Sequence, residues 1–452
     1  MTQWDVAIVG GGPAGLMAAA WASRRGRKTI LLDRNRQPGV KILLSGGTRC
    51  NLTHATDARG IVEAFGVNGR FLHSALAAFG PQAVVDFFES LGVPTKIEPG
   101  GKVFPASDRA MDIRDALVRY VQDSGCTLAM NETLVSLEKG VIEKGVRTIL
   151  RDRGGGGERT GTASCDEQEC EALPRASAVE NSSDPFLLAT LGGRIEAERV
   201  VLATGGQSYP ACGTTGDGYR FAAALGHRIV PPHTALVPVT SHASWVLELQ
   251  GITLPDVSVQ VVNAGGGKPL AKSRGAMLFA HFGVTGPVVL DVSHAVSGAA
   301  DSDSLVLRCD LLPEMSERDL DTALADRCAD DGKRRATTLL NPWLPHRVGE
   351  SLLGQCDIPL ERPLAELSKS DRRRLTGAIK RLDIPAAGTM GFRKAELTAG
   401  GVALDEVDSR TMESRLVPGL YVVGELLDLN GPVGGYNFQA AFCTGRLAGE
   451  NV

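Results

Sequence analysis

The chain has 452 residues, 43% hydrophobic and 22% charged, and a net charge of −4. That length exceeds one ordinary core, and that balance excludes a disordered chain. The charge gives no electrostatic reason to expect nucleic acid or an anionic membrane as the main partner.

The start, Met1 to Gly12, lacks the basic segment, apolar core and cleavage site of a secretory signal. No apolar run approaches the roughly 18 residues of a membrane span. The expectation is a cytoplasmic protein with no membrane partner. Asp5-Val-Ala-Ile-Val9 reads as a buried strand, Leu16 to Arg25 as an Ala-rich helix, and Lys28-Thr-Ile-Leu-Leu-Asp33 as a second strand. That βαβ unit requires a parallel sheet with helices on its faces. Residues 60 to 125 read as largely helical, and Thr127 to about Leu150 as strand.

From Arg151 to about Pro185 the chain turns Gly-, Ser- and Glu-rich and reads as a mobile insertion. Within it Cys165 and Cys170 have no second Cys or His pair nearby, so no metal is expected. Nine cysteines in a cytoplasmic chain form no disulfide framework. Arg199-Val-Val-Leu-Ala-Thr-Gly-Gly206 is another buried strand ending in glycines. Short strand patterns dominate from about Pro231 to Leu312, and helix formers rich in Arg and Lys follow to about Leu382. Gly419-Leu-Tyr-Val-Val-Gly424 returns to strand and Asn437 to Ala448 to helix. The expected division is a dinucleotide domain from residues 1–209 and 386–452, a β-rich substrate domain at 210–312 and a helical domain at 313–385.

Gly10-x-Gly12-x-x-Gly15 stands between strand and helix, with Asp33 closing the next strand. In that context the glycines admit a tight turn, a pyrophosphate and close helix packing, while Asp33 suits ribose hydroxyls. Pro13, Ala14 and Arg34 flank these positions. NAD and FAD share this half of the site, so later segments must choose. A Gly-rich loop from Gly39 to Asn51, the strand end Ala203-Thr204-Gly205-Gly206, and Gly424-Glu425 at the end of a late strand all lie where a longer cofactor would run. Gly434-Gly435-Tyr436-Asn437 opens a helix whose dipole suits an electron-rich flavin edge. FAD is the expected cofactor; an NAD-only dehydrogenase would leave Glu425 and the Gly434-Gly435 helix start without a purpose.

Five blocks carry a wider resemblance: Gly10-Gly-Gly-Pro-Ala-Gly15; Lys41-Ile-Leu-Leu-Ser-Gly-Gly-Thr-Arg-Cys-Asn-Leu-Thr53; Ala203-Thr-Gly-Gly-Gln-Ser-Tyr-Pro210 with Thr214-Thr-Gly-Asp-Gly-Tyr219; Leu278-Phe-Ala-His-Phe-Gly-Val-Thr-Gly-Pro287; and Gly424-Glu-Leu-Leu-Asp428 with Gly434-Gly-Tyr-Asn437. Together they resemble the BaiN/YhiN-like bacterial flavoproteins, which include aminoacetone-oxidase-like members. The resemblance implies a Rossmann-type FAD-binding domain, α/β with a parallel sheet, interrupted by a β-barrel-like domain and a small helical domain. It also implies FAD contacts from Asp33, Lys41, Gly46, Gly47, Asn51 and Glu425, and an adenine contact from backbone near Val135. Two departures stand out: the Arg151 to Pro185 insertion, and Gly431-Pro-Val433 where the family pattern has Gly-Arg-Thr.

Cys50 is a candidate redox thiol or a packed one, since it lacks a C-x2-C or C-x4-C partner. His281 is a candidate acid–base group or a structural histidine, and Tyr436 a proton donor or a cap of its helix. Arg372-Arg-Arg374 with Lys380 and Arg381 reads as a solvated helix face before it reads as an RNA contact. The leading reading is a flavoenzyme exchanging hydride with a small-molecule substrate, with oxygen or transiently bound NAD(P)H as second redox partner. Amine or aminoketone oxidation and NAD(P)H-dependent enone reduction both stay open, as does a flavin-bound sensor or RNA-associated scaffold without turnover.

Overall fold

Val6 to Val9 and Ile30 to Leu32 are almost completely buried, as strands covered on both faces must be. In the computed structural model, which describes residues 2–140 and 184–452, they form the centre of a seven-stranded sheet. Thr127–Met130, Thr29–Asp33, Thr2–Val9 and Gly193–Leu202 run parallel in that order. Gly193–Leu202 then forks. Its first half pairs antiparallel with Phe186–Thr190, which pairs with Leu134–Lys139, and its last residues pair parallel with Leu420–Val422. A strand from near the C-terminus thus lies beside one from mid-chain, and the doubly covered Rossmann-type sheet draws on both ends of the sequence. The expected insertion, with Cys165 and Cys170, falls outside the described residues except for Asp184 and Pro185.

Between the second and third parallel strands the chain is not simply helical. Helices Ala58–Ala64, His73–Ala78, Pro81–Ser90 and Ala110–Asp123 are broken by a small three-stranded sheet of Thr53–His54, Lys102–Pro105 and Thr95–Ile97. These short strands are closed by hydrogen bonding across residues about fifty apart, which a local periodicity does not register.

A six-stranded antiparallel sheet follows, ordered Val239–Thr240, Gly283–Thr285, Ala271–Ala280, Thr253–Asn263, Leu305–Asp310, Leu382–Pro385. Two segments inside this strand-rich region are helices, the short Ser244–Glu248 and the longer Pro287–Ser297. Pro287 starts it at a position where the missing N–H is not needed, and Val288, Val289, Val292 and Val296 bury one face against the sheet. Its β-branched residues argue for strand, and tertiary burial overrides that weak preference.

The buried residues fall into two large clusters that shift the expected boundaries. Tyr219, Phe221 and Ala222, on helix Asp217–Ala224, join the core of the nucleotide-type sheet, so that core extends past residue 209. From Val239 to Ala386 the antiparallel sheet and the helices Glu317–Asp330, His346–Gln355 and Lys369–Lys380 share a single second core. The expected β-rich and helical domains are therefore joined by one hydrophobic interior. A two-stranded ladder, Ile229–Ala235 with Leu397–Val402, carries the chain between the two cores.

Helix Pro13–Arg24 lies against the C-terminal helix Tyr436–Asn451 closely enough that side chains are excluded. A Cβ on Gly445 would sit 2.2 Å from the Ala14 carbonyl oxygen, and one on Gly449 2.6 Å from that of Ala18. Gly445→Val is expected to cost about 1–3 kcal/mol or more through overpacking. A chemical denaturation curve against wild type checks this, and an unchanged midpoint would contradict the close crossing.

Candidate functional site

Three glycines of the first turn do three different things. Gly10 has φ 105°, and a Cβ there would lie 2.4 Å from the Ala203 carbonyl oxygen; one on Gly15 would lie 1.9 Å from that of Gly10. Both are required by the protein itself. Gly12, the N-cap of helix Pro13–Arg24, has φ −74° and nothing within 4 Å of a Cβ position, so its bareness serves whatever approaches the helix N-terminus. Pro13 and Ala14 follow it into the wall of an open cleft.

Asp33 closes the next strand inside the same cleft. One carboxylate oxygen accepts from the Gly11 N–H at 2.6 Å and the other from the Asn35 N–H at 2.7 Å. Burial pushes its pKa above the usual carboxylate range, and these two donors oppose the shift. Arg34 also lines the cleft, but its guanidinium is turned to Asp217 and to Thr215, 2.8 Å away. Across the cleft Thr204 and Gly205 follow strand Gly193–Leu202; Thr204 Oγ1 is buried against Gly218 without a hydrogen-bond partner. Gly206 faces elsewhere, against Thr398 and Glu425. Near Val135 the wall is made by Glu132, Thr133 and Leu134, while the Val135 side chain is exposed and its carbonyl accepts from Arg220.

Further along, four distant segments meet in one polar network. Lys41 Nζ lies 2.6 Å from Glu425 Oε2 and 2.6 Å from Ser208 Oγ, while Glu425 Oε1 accepts from Ser208 Oγ at 2.8 Å and from the Thr398 N–H at 2.9 Å. Gly424 beside it has φ 69°. Beyond the network lies a second cleft of about 1050 Å³, sharing Lys41, Glu396, Leu397, Asn437 and Phe438 with the first. Gly46 and Gly47, both with positive φ, and Asn51 form one side of it. Asn51 Oδ1 is buried and unpartnered, directly beneath Gly435, where a Cβ would lie 2.7 Å from it. Gly434 and Gly435 bring the start of helix Tyr436–Asn451 to this cleft, and Asn437 holds the preceding turn through Gly431 N–H and carbonyl at 2.8 and 2.9 Å.

Of the three candidate reactive groups, none stands free in either cleft. Cys50 is fully buried, and burial pushes its thiol up to about 12, so it is a protonated, packed thiol at neutral pH. His281 is exposed on a turn of the second sheet, edge-on to Phe282, outside both clefts. Tyr436 stacks on His54, centroids 4.7 Å apart. The sequence reading passed over Glu396, Ser208, Tyr209, Thr398 and Asp291. Ser208 and Tyr209 lay inside a quoted block; Glu396, Thr398 and Asp291 carried no local signal. Asp291, on helix Pro287–Ser297, reaches across to accept from the Val433 N–H at 2.7 Å, tying the second core to the departing Gly431-Pro-Val433 segment. Burial raises its pKa against that hydrogen bond. The basic cluster is engaged within its own domain: Lys380 with Asp310 and the carbonyls of Leu312 and Met315, Arg374 with Asp371 and Arg381 with Glu317.

This arrangement fits FAD. A bare backbone stands at the helix N-terminus at Gly12, a carboxylate at the next strand end, and a second helix N-terminus at Gly435. Gly12→Ala should leave the unfolding midpoint unchanged while weakening FAD retention about tenfold or more, read by flavin absorbance after dialysis. Loss of stability instead would show that the bareness is structural. Cys50 should resist thiol reagents in the native protein, and rapid labelling counted by mass spectrometry would contradict its burial.

The family profile described as "HI0933-like protein Rossmann domain" matches residues 4–152 and 162–451. A ribosomal RNA dihydrouridine synthase of Escherichia coli (strain K12) is 31% identical over 455 residues, covering 100% of this chain and 98% of that protein. A 3-dehydro-bile acid delta(4,6)-reductase of Clostridium scindens is 30% identical over 448 residues, covering 98% of each. Among solved structures, a flavocytochrome c3 fumarate reductase aligns over 100% of this chain and 78% of its own, at 17% identity and a TM-score of 0.46.

Proposed function

The chain belongs to the HI0933-like Rossmann-domain family and is an FAD-dependent oxidoreductase, and from that premise we propose that it reduces a carbon–carbon double bond conjugated to a carbonyl in a small-molecule substrate, using NAD(P)H. The observation that carries this reading is the second cleft. It opens beside the expected flavin end, between the two cores, and its walls mix Leu44, Phe104, Leu236, Leu290 and Val433 with Lys41, Arg49, Lys102, Tyr209 and Glu396. Such a lining suits a molecule with an apolar body and a carbonyl that hydrogen-bond donors can meet.

The names of the two relatives support the reaction type. One is named for making dihydrouridine and the other for reducing double bonds of a 3-dehydro bile acid. Both products carry hydrogen added across a double bond that a carbonyl polarises.

In this reading Gly12 and the N-terminus of Pro13–Arg24 hold the pyrophosphate and Asp33 the ribose, with backbone of residues 132–134 at the adenine. Lys41 and Glu425 would hold the ribityl chain, Gly46, Gly47 and Asn51 the ring, and Gly435 would aim its helix at the pyrimidine edge. When bound, the flavin supplies hydride to the substrate. The protein orients the substrate, excludes water with the apolar wall while the substrate is bound, and fixes Lys41 in place by pairing it with Glu425. No helix among the described residues is long and apolar enough to cross a membrane.

The test is anaerobic mixing of purified holoenzyme with NADH or NADPH, then with cyclohex-2-enone or a uridine-containing RNA fragment. Bleaching by a nicotinamide and recovery with the enone is the expected result. Bleaching by an amine but by neither nicotinamide would turn the reaction to oxidation, and recovery with RNA alone would move the substrate to nucleic acid.

A further inference from the structure

We propose that the Tyr209 phenol is the catalytic acid of the second cleft, delivering a proton to the substrate carbon adjacent to the one that receives hydride. This rests on the conjugate-reduction reading above and adds the group that completes it.

Three independent features single out this residue. Tyr209 has φ 51° and ψ 65°, a left-handed conformation that non-glycine residues adopt rarely and that concentrates at functional sites. The surrounding chain imposes it. The Tyr209 N–H donates to the Phe392 carbonyl at 3.1 Å, its own carbonyl accepts from the Cys212 N–H at 2.8 Å and from Thr214 Oγ1 at 3.2 Å, and Pro210 follows at once. The fold holds a strained backbone at the one point where it turns this ring into the cleft.

The second feature is a hydroxyl left without work. Among the described residues the Tyr209 hydroxyl has no hydrogen-bond partner, although the ring is half-buried and lines the cleft. No other tyrosine lines either cleft: Tyr421 donates to the Asn451 carbonyl at 2.9 Å, Tyr436 stacks on His54, Tyr120 sits among Trp21 and Phe87, and the Tyr219 hydroxyl, also unpartnered, is sealed in the first core.

The third is its surroundings. Burial, reinforced by the Glu396 carboxylate and Cys212, pushes the phenol above its ordinary value, so it carries its proton throughout the neutral range. Glu396 lines both clefts, and its side chain makes no hydrogen bond or ion pair among the described residues. Cys50, His281 and Tyr436 are outside the cleft; of the cations on its wall, Lys41 pairs with Glu425 and Arg49 with Glu98, and Lys102 has no ion pair among the described residues.

The step balances. The carbon–carbon π bond opens; the carbon β to the carbonyl takes hydride, with both electrons, from the flavin reduced beforehand by NAD(P)H. The α carbon forms its new C–H bond with the Tyr209 proton, and once the product has left, water entering the open cleft reprotonates the phenolate. The net change is one NAD(P)H and one proton consumed per double bond.

Tyr209→Phe keeps the ring and removes only the proton. The variant should retain FAD, bleach with NAD(P)H at a rate within about twofold of wild type, and bind cyclohexanone, read as a shift of the oxidised flavin spectrum, with an affinity within about twofold. Anaerobic reoxidation by cyclohex-2-enone should slow about 10²–10⁴-fold, the range a positioned acid supplies. Reoxidation at the wild-type rate, or slowing only in proportion to weakened cyclohexanone binding, overturns the assignment. A wild-type protein that bleaches but is reoxidised by no conjugated carbonyl instead overturns the reductase reading, and this inference falls with it.

Discussion

The close crossing of the first and last helices is the constraint on which the rest depends. Ala14 and Ala18 on one, Gly445 and Gly449 on the other, let the two backbones touch. Because both pairs are spaced by one turn and meet in the same order, the helices run roughly parallel. The C-terminal helix begins nine residues before its contact at Gly445 and the first helix one before Ala14, so the former's N-terminus projects about 12 Å past the latter's at ~1.5 Å per residue. Two positive helix ends are thereby held at a set separation along one cleft. A pyrophosphate suits the first and a reducible ring the second.

What joins the ends of this cleft is polar and drawn from remote parts of the chain. Lys41, Ser208, Thr398 and Glu425 satisfy one another within a space that is only slightly exposed. A buried lysine without such partners would favour its neutral form, and a buried glutamate likewise. Each therefore depends on the other three being in place. Asp291 adds a link of the same kind between the two cores by accepting from the Val433 N–H. The segment it grips is the one that departs from the family pattern, so here the main chain, rather than a side chain, makes the contact.

Legibility in the sequence followed the range of the interaction. The first strand, turn and helix were readable because each element declares itself within about a dozen residues, through an apolar run, obligatory glycines and a proline at the helix start. Helix Pro287–Ser297 was not, because its valines carry a strand preference that only burial against the sheet reverses. Helix Asp217–Ala224 takes its core from the sheet behind it, and nothing local says which core Phe221 will enter. His281 looked reactive because it sits in a motif; the turn that carries it faces solvent.

By itself the sequence determined the strand–turn–helix geometry at the first glycine turn. Gly10, Gly12, Gly15 and Asp33 act within one βαβ unit, and short-range sterics leave few alternatives. Only the tertiary structure decided the second cleft. Tyr209, Glu396 and Lys41 come from segments hundreds of residues apart, and what distinguishes them is the state of their polar atoms: the hydroxyl and carboxylate left unpaired, the ammonium tied to Glu425. Whether a polar atom is satisfied depends on every element that packs around it, and no window of sequence contains that information.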